Sequence, residues 1–286
     1  MGMAFYPKAF TVHRGDVLVF TNDLPEPHTV TFGVSGPIFD PFPFFAPQNL
    51  TGPGTAVFDN TGIINSGALF PGGSFGATLT ITIDVAPGTY GFRCAIHPFM
   101  TGTVTVVLDS QPLPKTDAQY QKIAHREMRI DLAKARVIRE ASREAADDAT
   151  DLGGTGIEVA VGGGDGVATV MRFFSSNLRI HVGDTVTFVN RDPFSPHTAT
   201  FGPEPPGGLP GLIPPENRAF PFSAPTAYDG SFPLSSGLMF SIFPWGTTFS
   251  VTFTAPGTFH YICGLHDAMG MVGKVTVTNH SDDDDD

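Results

Sequence analysis

The sequence predicts an all-β fold of two Greek-key β-sandwiches joined by an α-helical linker. Three observations carry that expectation. Period-2 runs of Val, Thr and Phe recur between Gly-Asp and Pro-Gly turns. The same set of runs occurs twice, in the same order. Between the two sets lies one segment free of Gly and Pro, with apolar residues at helical spacing.

The elements follow in chain order. Thr11-Val-His-Arg-Gly-Asp16 is a short run closed by a turn, and Val17-Leu-Val-Phe-Thr-Asn22 alternates as a half-buried strand. His28-Thr-Val-Thr-Phe-Gly33 reads as the next strand. Ala86-Pro-Gly-Thr-Tyr-Gly-Phe-Arg-Cys94 is a Pro-Gly turn feeding a strand that ends on cysteine, and Gly102-Thr-Val-Thr-Val-Val107 closes the set. The second copy repeats each run: Arg179-Ile-His-Val-Gly-Asp184, Thr185-Val-Thr-Phe-Val-Asn190, His197-Thr-Ala-Thr-Phe-Gly202, Ala255-Pro-Gly-Thr-Phe-His-Tyr-Ile-Cys263 and Gly273-Lys-Val-Thr-Val-Thr278. Many short strands with turn signals and no long helical pattern inside either copy indicate sandwiches or barrels. The Phe/Pro/Gly-rich stretches 34–73 and 203–246 read as packed loops carrying short strands.

Residues 117–149 differ in kind, being dense in Ala, Glu, Arg, Lys and Gln. Tyr120, Ile123, Ile130 and Val137 mark one stripe, Thr116 or Asp117 can cap the start, and Gly153-Gly154 ends the helix. Two roles fit it, a connector docked on a domain or a helix used for oligomerisation. The expected organisation is a first sandwich at 1–110, a helical linker at 111–154, a second sandwich at 155–280 and an acidic tail at 281–286.

Composition bounds the function. The chain has 286 residues, enough for two domains, with 15% charged residues and abundant Phe, Gly and Pro, which a disordered chain would not show. A net charge of −12 argues against nucleic acid or an anionic membrane surface as partner. No run is apolar enough to span a bilayer, and Met1-Gly2-Met3-Ala4-Phe5 lacks the features of a signal peptide. Either the chain is cytoplasmic, or it is a mature form whose signal has been removed; the second, with a periplasmic or extracellular location, is the expectation favoured once the ligand pattern below is included.

The chemistry lies in one duplicated constellation. Each copy holds a histidine, then Cys-x-x-His at the same separation, then a methionine: His28, Cys94, His97 and Met100, and His197, Cys263, His266 and Met271. Two imidazoles, a thiolate and a weak thioether are the donor set of a trigonal copper site with a long axial bond. The chain's only two cysteines occupy equivalent places in it. A Cys94–Cys263 disulfide is the competing reading, and it leaves the duplicated histidines without a role. A ligand set filled by the protein leaves no position for substrate, so such a site moves electrons instead of making or breaking bonds.

On these motifs the chain resembles two fused cupredoxins, over about 1–110 and 155–279. The loop Cys94-Ala-Ile-His-Pro-Phe-Met100 is similar to that of amicyanin-type proteins, and Cys263-Gly-Leu-His-Asp-Ala-Met-Gly-Met271 to that of plastocyanin. The resemblance implies that His28, Cys94, His97 and Met100 bind one copper ion and His197, Cys263, His266 and Met271 a second. Met269 competes with Met271 for the axial place; Met271 is favoured because it matches the residues that precede the last strand. Many family members carry Asn after the upstream histidine, tying the two ligand loops together, whereas Thr29 and Thr198 stand there in this chain. His13, His181, His125 and His280 read as surface residues, and nothing supports a ligand role for His260.

The leading function is an electron carrier with two blue-copper sites and a redox partner protein. Copper enzymes of the nitrite reductase or multicopper oxidase type are also fused cupredoxins, but they need a histidine beside the copper-binding cysteine. The neighbours here are Arg93 and Ala95, then Ile262 and Gly264, and no His-x-His pair exists in the chain. Copper storage or delivery shares the same ligand set. The resemblance further implies that the imidazole edges of His97 and His266 reach the surface through apolar patches, near Pro98 and Phe99 and near Leu265, Ala268 and Met269. A carboxylate at Asp267 predicts the lower reduction potential at the second site.

Overall fold

A computed structural model describes residues 1–34, 54–97, 99–151, 157–203, 226–240 and 246–279. The chain divides into two compact units, one built on residues 2–133 with 166–168 and the other on 134–165 and 169–286 with Met1. Each is a mostly-β sandwich, as the alternating runs predict.

In the first unit the strands are β1 (Ala9–His13), β2 (Val17–Thr21), β3 (Thr31–Phe32), β4 (Gly54–Phe58), β5 (Ile64–Asn65), β6 (Thr78–Ile83), β7 (Gly88–Arg93) and β8 (Thr101–Val107). One sheet runs β1-β8-β7-β3-β5 and the other β2-β6-β4. β1 pairs in parallel with β8, while β7 and β8 form an antiparallel pair with Phe92 opposite Gly102. Alternation puts Phe20 from one sheet against Phe32 and Phe92 from the other, with ring centroids 6.2 and 5.2 Å apart. Leu79, Ile81, Ile83, Val104 and Val106 complete that core.

The second unit repeats the plan with β11 (Asn177–His181), β12 (Thr185–Asn190), β13 (Thr200–Phe201), β14 (Thr226–Tyr228), β15 (Leu234–Ser235), β16 (Thr248–Phe253), β17 (Gly257–Ile262) and β18 (Val272–Thr278). It adds β9 (Ile157–Val161) and β10 (Phe173–Phe174), giving sheets ordered β10-β9-β12-β16-β14 and β11-β18-β17-β13-β15. Phe188, Phe201 and Tyr261 fill the places of Phe20, Phe32 and Phe92, with Phe188 and Tyr261 centroids 5.0 Å apart. Addition of β9 beside β12 changes burial. β12 alternates between buried and half-buried, whereas β2 alternates between half-buried and exposed, with Val17 and Val19 exposed. The short strands expected in the long loop stretches are β4 and β5, then β14 and β15; residues 35–53, 204–225 and 241–245 of those stretches lie outside the described residues, as do Gly153, Gly154 and the acidic tail.

The segment between the copies is one continuous helix, α1 (Asp117–Asp151). Thr116 caps it: its hydroxyl accepts the Gln119 N–H at 3.4 Å, and the Gln119 side chain accepts the Thr116 N–H at 2.8 Å, a capping box. The apolar stripe expected to face a domain does not do so along its length, because Ile130 is 48% and Val137 70% exposed. Polar contacts dock the helix on the first unit instead. The Tyr120 hydroxyl accepts the Thr11 N–H at 2.9 Å, Glu127 accepts the Lys8 N–H at 3.0 Å, and buried Asp131 accepts from the Tyr6 hydroxyl and Lys8 Nζ, both at 2.9 Å. In the second unit Ile138 and Ser142 approach Gly163 so closely that a Cβ there would lie 2.6 Å from Ser142 Oγ.

The same cross-strand device recurs in both cores. A Cβ on Gly102 would lie 2.3 Å from the Phe92 ring, and one on Gly273 would lie 2.4 Å from the Tyr261 ring. Gly102→Ala and Gly273→Ala should each destabilise their unit by about 1–3 kcal/mol through overpacking. Chemical denaturation monitored by tyrosine fluorescence and far-ultraviolet dichroism checks this, and an unchanged midpoint for both variants would refute the packing argument.

Candidate metal centres

Each centre is assembled where the last strand pair opens into a loop. In the first unit Cys94 follows β7 and Met100 precedes β8. The Cys94 N–H donates to the Met100 carbonyl at 2.9 Å, and the Met100 N–H donates to the His97 carbonyl at 2.9 Å, which closes the loop on itself. His28 comes from the segment before β3, where it exchanges backbone hydrogen bonds with Leu69 at 3.2 and 2.7 Å. The Asn22 side chain braces both segments by donating to the Glu26 and Leu69 carbonyls, each at 2.7 Å.

The second unit builds the same frame. The Cys263 N–H donates to the Met271 carbonyl at 3.0 Å, His197 is bridged to Met239, and Asn190 donates to the Ser195 and Met239 carbonyls at 3.0 and 2.6 Å. Its longer loop holds a 3-10 turn at Asp267–Met269, which ends at Gly270 with φ 84°, a left-handed turn back toward β18. Met269 lies within that turn, and Met271 has the backbone position that Met100 has in the first loop. Met100 and Met271 are both buried.

The structure brings His28, Cys94 and His97 together, and likewise His197, Cys263 and His266, with the donor atoms of each group within 4.8 Å of one another. The Nδ1 atoms of His28 and His97 are 3.1 Å apart, and Cys94 Sγ lies 4.0 and 3.6 Å from them. In the second group the corresponding separations are 3.0, 3.8 and 3.3 Å. Two imidazole lone pairs facing each other beside a sulfur repel unless a proton or a cation stands between them. One cation shared by all three donors satisfies the whole group, and two imidazole nitrogens with a thiolate are chemically suited to copper. Both cysteines are free and buried, so the disulfide reading does not hold.

Electrostatics favour the ligand form of the sulfur. Burial pushes the Cys94 thiol up, but hydrogen bonds from His28 and His97 and their positive charge outweigh it and hold the thiol well below its ordinary range. Cys263 is lowered in the same way, against burial, by the charge of His266 and by hydrogen bonds from His197 and His266. Burial pulls His97 down, yet Cys94 and Glu26 together raise it to about 9.

The threonines after the upstream histidines tie the two loops. The Thr29 N–H donates to Cys94 Sγ at 3.3 Å, and its hydroxyl accepts the Ala95 N–H at 2.6 Å. The Thr198 N–H likewise donates to Cys263 Sγ at 3.3 Å, and its hydroxyl accepts the Gly264 N–H at 2.9 Å. A hydroxyl therefore performs the inter-loop tie expected of Asn.

His97 and His266 are 4% and 2% exposed, so both loop histidines are buried. In addition, His97 Nε2 lies 3.1 Å from Oε1 of Glu26, itself buried. Glu26, Asn22 and Asn190 were absent from the predicted site, as were Ser66 and Ser236, whose hydroxyls accept the Val30 and Ala199 N–H groups at 2.9 Å. The repeat carries a signal for most of them: Asn22 aligns with Asn190, and Asn65-Ser66-Gly67 with Ser235-Ser236-Gly237. His125, His181 and His260 are exposed, half-buried His13 bonds the Gln111 carbonyl at 2.8 Å, and Pro98 and His280 lie outside the described residues.

Comparison with known proteins adds independent findings. Residues 1–107 and 157–278 each match the family of copper binding proteins described as plastocyanin/azurin. A chloroplastic plastocyanin of Pisum sativum is 28% identical over 201 residues, 70% of this chain and 99% of the relative. A plastocyanin of Sambucus nigra is 32% identical over 122 residues, 42% of this chain and 99% of the relative. A solved structure of an amicyanin mutant in its Cu(I) form is 25% identical, covers 46% of this chain and 89% of its own, and has a TM-score of 0.28.

The inter-loop tie is testable by shape-preserving substitution. Thr29→Val strands the fully buried Ala95 N–H and should cost about 1–3 kcal/mol. Thr198→Val should cost less, because the Gly264 N–H is only partly buried. Thermal denaturation of the metal-free variants checks the order, and equal losses would contradict it.

Proposed function

This chain belongs to the copper-binding plastocyanin/azurin family, and from that premise we propose that it is an electron-transfer protein with two type 1 copper sites, one in each sandwich. His28, Cys94, His97 and Met100 hold one ion, and His197, Cys263, His266 and Met271 the other. The observation that carries this reading is the pair of buried groups of two histidines and a cysteine, each gathered within 4.8 Å. When bound, copper supplies one-electron cycling between Cu(I) and Cu(II).

The chain's own residues suit that task. The β7–β8 and β17–β18 pairs fix both ends of each ligand loop, so the donors move little between oxidation states. Burial of both cysteines excludes water and exogenous ligands. Backbone N–H groups of Thr29 and Thr198 stabilise the thiolates, an interaction that also tunes potential. Met271 is preferred to Met269 because it shares the loop-closing backbone position of Met100. The domains are taken as 1–110 and 155–280, with 111–154 as a helical linker and 281–286 as an acidic tail.

The partner is a redox protein, not nucleic acid, in keeping with the acidic charge. No described helix is long and apolar enough to cross a membrane. Family relationships favour a periplasmic or extracellular setting. A homo-oligomer would fit the exposed Ile130 and Val137 on α1. Phe99, 57% exposed and two residues from His97, offers an apolar docking point beside the first centre.

The copper assignment predicts two ions per chain and an intense thiolate-to-copper band in the visible. Cys94→Ser and Cys263→Ser should each retain one ion, as read by metal analysis and electron paramagnetic resonance. A third, type 2 signal, or turnover with nitrite or phenols, would favour an enzyme instead. For docking, Phe99→Asp should slow electron exchange with a partner severalfold while leaving the visible band unchanged; stopped-flow rates equal to the parent's would remove Phe99 from the route.

A further inference from the structure

The two centres differ beside the histidine of the first ligand loop. Glu26-Pro-His28 aligns with Ser195-Pro-His197, so a carboxylate in one copy stands where the other has a hydroxyl. Glu26 is buried, and its Oε1 lies 3.1 Å from the Nε2 of buried His97. The opposite nitrogen of that ring, Nδ1, faces Cys94 at 3.6 Å and His28 at 3.1 Å. One carboxylate therefore holds the outer edge of an imidazole whose inner edge points into the donor group. The Glu26 carbonyl is itself held by Asn22 at 2.7 Å, so the backbone that carries the carboxylate is braced by the same side chain that braces the His28 segment.

We infer that Glu26 is the positioning residue of the first centre, and that its buried negative charge gives this centre the lower reduction potential of the two. The inference rests on the copper reading above. An imidazole whose outer N–H is given to a carboxylate is fixed in tautomer and orientation and becomes a stronger donor through its other nitrogen. A stronger donor and a nearby negative charge both favour Cu(II) over Cu(I). In the second copy the hydroxyl at Ser195 brings no charge, and its Oγ is buried with no hydrogen-bond partner among the described residues. Asp267, the carboxylate that suggested the opposite order, is exposed and therefore screened by water and salt. The buried charge outweighs the exposed one.

The test uses the full-length chain with one centre disabled at a time. Cys263→Ser isolates the first centre and Cys94→Ser the second, and spectroelectrochemical titration gives each potential. The first centre should lie lower. On the Cys263→Ser background, E26Q keeps an acceptor oxygen and removes the charge. It should retain copper and raise the potential by about 59 mV or more, equivalent to a tenfold shift in the Cu(II)/Cu(I) affinity ratio for a one-electron couple. Glu26→Ser, which reproduces the second copy, removes acceptor and charge together; it should raise the potential at least as far and also shift the visible band. An E26Q potential equal to the parent's, or a first centre at or above the second, overturns the inference. If E26Q does not fold, the order of the two cysteine variants decides. A metal-free readout separates this from failure of the copper reading: nitrogen NMR of His97 in the bare protein should show a hydrogen-bonded Nε2–H that E26Q weakens, and a signal unaffected by E26Q refutes the positioning role whether or not copper binds.

Discussion

The tie between the two ligand loops is the constraint on which each centre depends. One threonine acts twice, its N–H reaching the cysteine sulfur and its hydroxyl accepting the N–H of the residue after the cysteine. Because Thr29 and Thr198 follow the upstream histidines directly, each fixes the place of its histidine relative to the cysteine. A buried amide without a partner would cost enough to disfavour any rearrangement of the loops. The donor group is thus held by hydrogen bonds between the two loops. Asn22 and Asn190 extend the same logic outward, pinning the histidine segment to the chain around Leu69 and Met239.

Duplication preserved this frame and relaxed what surrounds it. Phe92 over Gly102 became Tyr261 over Gly273 with the same close ring-to-strand packing. The second ligand loop gained a 3-10 turn without moving the cysteine-to-methionine backbone closure. β9 covers β12 in the second unit, while the corresponding β2 has a described neighbour on one side only. Glu26 and Ser195 diverged in charge at the residue that meets the loop histidine.

The helix between the copies shows the limit of an apolar pattern as a guide to contact. Its docking on the first unit runs through Tyr120, Glu127 and Asp131, while Ile130 and Val137 stay exposed. An apolar stripe predicts burial only when apolar area is the strongest available interaction. Here Lys8 and Tyr6 present a buried carboxylate with two donors, and the polar pairing sets the rotation of the helix instead.

Residue spacing alone determined the two-sandwich organisation, the order of the main strands, the capped helix and the two groups of histidine and cysteine. Those follow from period-2 alternation, turn chemistry and the duplicated Cys-x-x-His, which are local in the chain and visible twice. Asn22 with Asn190 and Ser66 with Ser236 were also legible in the repeat, although they carry no metal chemistry to draw attention to them. Only the tertiary structure decided that a threonine hydroxyl closes the loops, that His97 and His266 are buried, and that Glu26 meets His97. Each of these depends on two segments far apart in sequence arriving at one point. Which donor reaches which acceptor there is set by sheet register and side-chain packing, and no local pattern encodes that distance.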